Sequence, residues 1–80
     1  MNSAIRLTLY GRPDCGLCQD MLATLEDMQI ALDFIDIDDD PALQQRFGSL
    51  IPVLARGPRI LCHYHLDLAA LEAALTAESE

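Results

Sequence analysis

Two cysteines three positions apart, in Cys15-Gly16-Leu17-Cys18, are the residues of this chain best suited to do chemistry. A dithiol exchanges disulfides when one sulfur is a good nucleophile and the other lies close enough to resolve the mixed disulfide. At the start of a helix both needs are met. Positions i and i+3 stand about 5–6 Å apart, within the range a disulfide tolerates. The first cysteine also lies beside free backbone N–H groups and the positive end of the helix dipole, which stabilise a thiolate. Cys15 is therefore expected to be the nucleophile, with a pKa below the ordinary thiol value of about 8.5, and Cys18 the resolving thiol. Arg12 adds positive charge upstream and Asp14 opposes it from the adjacent position.

The same spacing occurs in zinc knuckles. Zinc would need two further ligands, and only Cys62, His63 and His65 are soft enough. On an extended strand Cys62 and His63 point to opposite faces, which disfavours a shared metal, and none is expected. Cys62 reads as apolar filler of a strand, and His63 and His65 as surface residues. The acidic run Asp36, Asp38, Asp39, Asp40 lacks the glycine and the terminal acid of a calcium loop, having Pro41 and Phe47 at those places. It reads as a helix cap instead.

The elements that must hold the dithiol follow from periodicity. Ile5, Leu7 and Leu9 alternate with Arg6 and Thr8, the spacing of a strand that Gly11-Arg12-Pro13-Asp14 ends as a turn. Cys18, Met21, Leu22, Leu25 and Met28 then recur on one face of a helix from about Gly16 to Gln29. Leu32 to Ile37 forms a second strand. Asp40 caps a short helix from Pro41 to Phe47, with Gly48 as its stop. Val53–Ala55 and Arg59–Cys62 flank a hairpin turn at Arg56-Gly57-Pro58. A last helix begins near Asp67, with Leu68, Leu71 and Leu75 inward and Glu78 and Glu80 trailing into solvent. The order is β-α-β-α-β-β-α, an α/β fold whose first βαβ unit pairs parallel strands.

The chain has 80 residues, half of them hydrophobic, which makes one globular domain spanning 1–80. No apolar run reaches the roughly 18–20 residues of a membrane helix, and the N-terminus shows no basic-then-apolar leader, so a cytoplasmic location is expected. Five arginines, no lysine and 13 acidic residues give a net charge of −8. That balance disfavours nucleic acid and anionic lipid, and favours an electropositive partner surface. An odd number of cysteines without a leader does not describe a secreted disulfide framework.

Three segments carry a family resemblance: Leu9 through Cys18, Ile51-Pro52-Val53-Leu54, and Asp67-Leu68-Ala69-Ala70-Leu71. With them the chain resembles, over nearly its whole length, the glutaredoxin-like branch of the thioredoxin superfamily. The resemblance implies a four-stranded mixed sheet flanked by helices and a thiol–disulfide oxidoreductase acting on protein or low-molecular-weight disulfides. It further implies a cis-proline at Pro52, with Ile51 offering backbone groups to an extended thiol substrate. A reductant system, glutathione among the candidates for reductant or co-substrate, would recharge it, with no cofactor held. Arg12, in place of a usual lysine, and Asp67 match the family's glutathione site. Two stretches depart from the pattern. Gly16-Leu17 replaces a proline and an aromatic between the cysteines, and His63-Tyr64-His65-Leu66 places bulk where relatives have a paired-glycine turn. Weak glutathione binding and a protein or other thiol partner are expected from that bulk. The alternative is a non-catalytic module that uses the same fold to engage a partner or a metal.

Overall fold

The computed structural model describes residues 5–76. Strand β1 (Arg6–Gly11) leads through a turn into helix α1 (Gly16–Asp27), then β2 (Ala31–Asp36), a single 3-10 turn at Ile37–Asp39 and helix α2 (Pro41–Phe47). Strands β3 (Val53–Arg56) and β4 (Arg59–His63) form a hairpin that hands the chain to helix α3 (Leu68–Thr76). The four strands make one mixed sheet in the order β2-β1-β3-β4. β1 runs parallel to β2 and antiparallel to β3, and β3 is antiparallel to β4.

Alternation along β1 sorts the two faces of the sheet. Leu7 and Leu9 are fully buried and join Met21 and Leu25 of α1, Leu54 of β3 and Leu71 of α3 in one cluster. The intervening Tyr10 points the other way and packs on Phe47 of α2, ring centroids 4.7 Å apart. β3 is covered on both sides, so Val53, Leu54 and Ala55 are all buried, as expected of a central strand.

The caps explain the element ends. Asp40 Oδ1 accepts the Ala42 N–H at 2.9 Å with Pro41 at the first helical position, as the sequence predicts. α1 stops two residues earlier than its apolar periodicity suggests. Met28 caps it, Gln29 takes a left-handed φ of 61°, and the Ile30 N–H returns to the Leu25 carbonyl at 3.2 Å. This is a Schellman ending with glutamine in the usual glycine place, and it leaves Met28 exposed. Three further expectations are corrected. Ile37 belongs to the 3-10 turn and not to β2, because the Asp36 carboxylate accepts the Asp38 N–H and bends the chain there. Arg56 is the last residue of β3, leaving Gly57, at φ 56°, and Pro58 as the turn. Leu68 is 56% exposed, and burial along α3 begins only with Leu71. Glu78 and Glu80 lie outside the described residues.

Candidate functional site

β1 delivers the chain to the dithiol with a residue that sequence periodicity assigns to the turn. Gly11 is the buried last residue of β1, paired with Asp36 of β2. A Cβ there would lie 2.7 Å from Cys18 Sγ, closer than real contacts come, and 3.3 Å from the Phe34 ring, a tight approach. Only glycine lets the strand end directly against the Cys18 thiol. A turn closed by the Cys15 N–H on the Arg12 carbonyl (3.2 Å) then sets Cys15 at the N-cap of α1 in an extended conformation. Its Sγ accepts the Cys18 N–H at 3.2 Å, so a sulfur satisfies one of the donors that a helix start leaves open.

The two thiols, both free, differ in environment. Cys15 is half-buried, while Cys18 is fully buried one turn further in. Burial first, and its hydrogen bond with Cys15 second, push the Cys18 thiol up to about 11, against a smaller lowering from a backbone hydrogen bond with Arg12. The side chain of Arg12 is directed elsewhere. Its Nε donates to Asp38 Oδ1 at 2.9 Å, and that contact chiefly raises its pKa. The Gln44 amide donates to the same Asp38 oxygen at 3.2 Å. Arg12 is thus a tethered cation at the rim, with only a minor influence on Cys18.

The other predicted site residues cluster on the β3 and β4 side. The pairing of Tyr10 with Val53, continued by one step, sets Pro52 against Gly11. Pro52 is buried, its bond to the half-buried Ile51 is cis, and its carbonyl accepts the Tyr64 N–H at 2.9 Å. Tyr64 stands at a left-handed φ of 66° and its hydroxyl donates to the Ser49 carbonyl, so one residue clasps both ends of the 49–52 segment. The His65 N–H donates to the His63 carbonyl at 2.7 Å, and the Asp67 N–H is directed at the Cys62 thiol. Burial raises the pKa of Cys62, which lies opposite Leu54 and packs on the core. Asp67 itself caps α3, its Oδ1 accepting the Ala70 N–H at 3.1 Å.

The Tyr64 side chain turns to Ser49, and two of the loop's N–H groups already have carbonyl partners within the fold. Gly11, Ser49 and the Tyr64 clasp escape a reading of the sequence. A glycine ending an alternating strand was the available signal for the first; nothing in the residue types announces a left-handed tyrosine.

A groove of about 200 Å³ runs between the outer side of α1, at Leu17, Asp20 and Met21, and the Tyr64–Leu66 loop. Among the described residues no three His, Cys, Asp or Glu side chains gather as a metal site would require. No helix among them is long and apolar enough to cross a membrane.

The profile of a family described as Glutaredoxin-like domain (DUF836) matches residues 6–76. The solution structure of protein Ne2328 from Nitrosomonas europaea is 35% identical, with a TM-score of 0.75 over 91% of this chain and 96% of its own. The X-ray structure of protein XcR50 from X. campestris is 36% identical, with a TM-score of 0.72 over 89% of this chain and 96% of its own. Thioredoxin 1 from Thermosipho africanus shares the fold at 14% identity, with a TM-score of 0.57 over 94% of this chain and 99% of its own. No functionally curated protein matches.

Proposed function

The chain belongs to the glutaredoxin-like domain family (DUF836) of the thioredoxin superfamily, and from that premise we propose that it is a thiol–disulfide oxidoreductase. One observation carries the reading: a half-buried Cys15 at the helix N-cap, its sulfur taking the Cys18 N–H, above a fully buried Cys18. An N-cap sulfur facing backbone donors is the arrangement that favours a thiolate and hence attack.

In the first step the Cys15 thiolate attacks one sulfur of a substrate disulfide. A Cys15–substrate bond forms, the substrate S–S bond breaks, and the departing sulfur leaves as a thiolate that takes a proton from solvent. Cys18 then loses its proton and attacks Cys15 Sγ, which releases the second substrate thiol and closes the Cys15–Cys18 disulfide. The substrate has gained two electrons and two protons. A dithiol reductant, or two thiol equivalents such as glutathione, returns them. Burial of Cys18 serves the sequence of events, because a thiol held up at about 11 stays protonated near neutral pH while Cys15 makes the first attack. Pro52, with Ile51 before it, stands against the end of β1 where an extended substrate would pass, and Arg12 and Asp67 border that approach. A cytoplasmic setting suits a dithiol that must be kept reduced.

The test is turnover of a disulfide-bonded protein, with glutathione or a thioredoxin reductase as the electron source. Wild type should turn over with one of the two, Cys15→Ser should fall to background, and Cys18→Ser should accumulate the Cys15–substrate mixed disulfide, which only an external thiol such as glutathione can then resolve. Equal activity of wild type and Cys15→Ser would overturn the reading.

A further inference from the structure

The groove beside the dithiol combines two properties that narrow what can enter it. It is apolar at its mouth, where Leu17, between the two cysteines, is 46% exposed and Tyr64, on the opposite wall, is 42% exposed. Its fixed charges are also of one sign. Asp20 lines it across from His65, Asp14 precedes Cys15, and Arg12, upstream of the dithiol, is paired with Asp38. The chain as a whole carries −8 and has no lysine. An anionic ligand meets like charge here. It also meets a loop whose Tyr64 and His65 N–H groups are already taken up by the Pro52 and His63 carbonyls. A cationic group meets the reverse: an exposed carboxylate on the wall and a favourable field on approach.

We propose, on the reading of the dithiol as an exchange centre, that this groove docks an extended segment of a protein disulfide substrate. The segment carries arginine or lysine beside the attacked half-cystine and an apolar neighbour that covers Leu17 and Tyr64. The basic side chain lies along α1 toward Asp20, and the half-cystine stands over Cys15. Glutathione, anionic and dependent on backbone donors for its carboxylate, is the disfavoured ligand of the same site.

The experiment uses the pre-reduced full chain in excess over cystine peptides of one length that differ only at the flanking residue: arginine, glutamine or glutamate. Glutathione disulfide and the neutral bis(2-hydroxyethyl) disulfide are run beside them. Each second-order rate constant is divided by that disulfide's rate with free dithiothreitol, which removes intrinsic reactivity. The arginine peptide should exceed the glutamate peptide by about tenfold or more near 0.01 M salt. The ratio should shrink toward unity near 1 M, where the Debye length falls from ~30 Å to ~3 Å. Asp20→Asn should lower the arginine advantage by about twofold to fivefold. Equal rates for the three peptides, or glutathione disulfide reacting as fast as the arginine peptide, would overturn the substrate class while leaving the exchange chemistry standing. A full arginine advantage in Asp20→Asn would overturn its placement in this groove. Failure with every disulfide, the neutral one included, would instead remove the oxidoreductase reading and this proposal with it.

Discussion

The two walls of the groove treat their backbone N–H groups in opposite ways. On the cysteine wall, the end of β1 and the start of α1 aim donors at sulfur: the Cys18 N–H at Cys15, and a backbone hydrogen bond from Arg12 at Cys18. On the facing wall, the Tyr64 and His65 N–H groups turn into the fold, toward the Pro52 and His63 carbonyls. The first wall directs a backbone donor at the Cys15 sulfur, and on the second two backbone donors are already occupied by carbonyls of the fold.

The largest contrast should appear in thiol reactivity. In the reduced protein, iodoacetamide should label Cys15 at neutral pH at least about tenfold faster than Cys18, whose thiolate becomes abundant only as pH nears about 11. Cys62, half-buried and also raised, should lag behind Cys15. The same shift has a stability consequence. Above the unfolded thiol value the unfolded chain gives up its proton first, so the reduced protein should lose stability as pH climbs toward about 11. Peptide mapping of label against pH, with melts on the same samples, checks both. Faster labelling of Cys18 near pH 7 would reverse the two roles.

A smaller effect comes from the residue beneath Cys18. Gly11→Ala puts a Cβ where Cys18 Sγ now sits at 2.7 Å, and should cost about 1–3 kcal/mol in a urea titration. A neutral outcome would mean that Cys18 can move aside and is not pinned under Cys15. The smallest effect is the most diagnostic for the other wall. Tyr64→Gly removes the bulk but leaves residue 64 with the same N–H on the Pro52 carbonyl. Loss of the hydroxyl bond to Ser49, ~0.5–1.5 kcal/mol, is offset by release of the left-handed tyrosine, ~1–2 kcal/mol, so stability should change little. Glutathione-dependent turnover should stay as weak as in wild type. A large gain would make bulk the cause after all.

Much of this was legible in the residues. The C-x-x-C at a strand-to-helix junction, the Asp40-Pro41 helix start and the alternation of β1 each speak through local chemistry, and local chemistry decided them. What stayed hidden depends on contacts distant in sequence or on strained backbone. Gly11 reads as a turn glycine until Cys18 is known to lie against it. Arg12 reads as a free cation until Asp38, 26 residues away, is brought to it by the parallel pairing of β1 and β2. The early end of α1 and the Tyr64 clasp both use left-handed conformations at residues that disfavour them, Gln29 and Tyr64, so composition pointed away from both. Leu68 fits the helical stripe, yet burial along α3 begins only with Leu71.

The most direct test of the exchange centre is disulfide mapping of the full chain by mass spectrometry after equilibration in thiol–disulfide buffers of graded potential. The account predicts one reversible linkage, Cys15–Cys18, with Cys62 recovered as a free thiol across the range. A dominant linkage through Cys62, or no intramolecular disulfide at any potential, would contradict it.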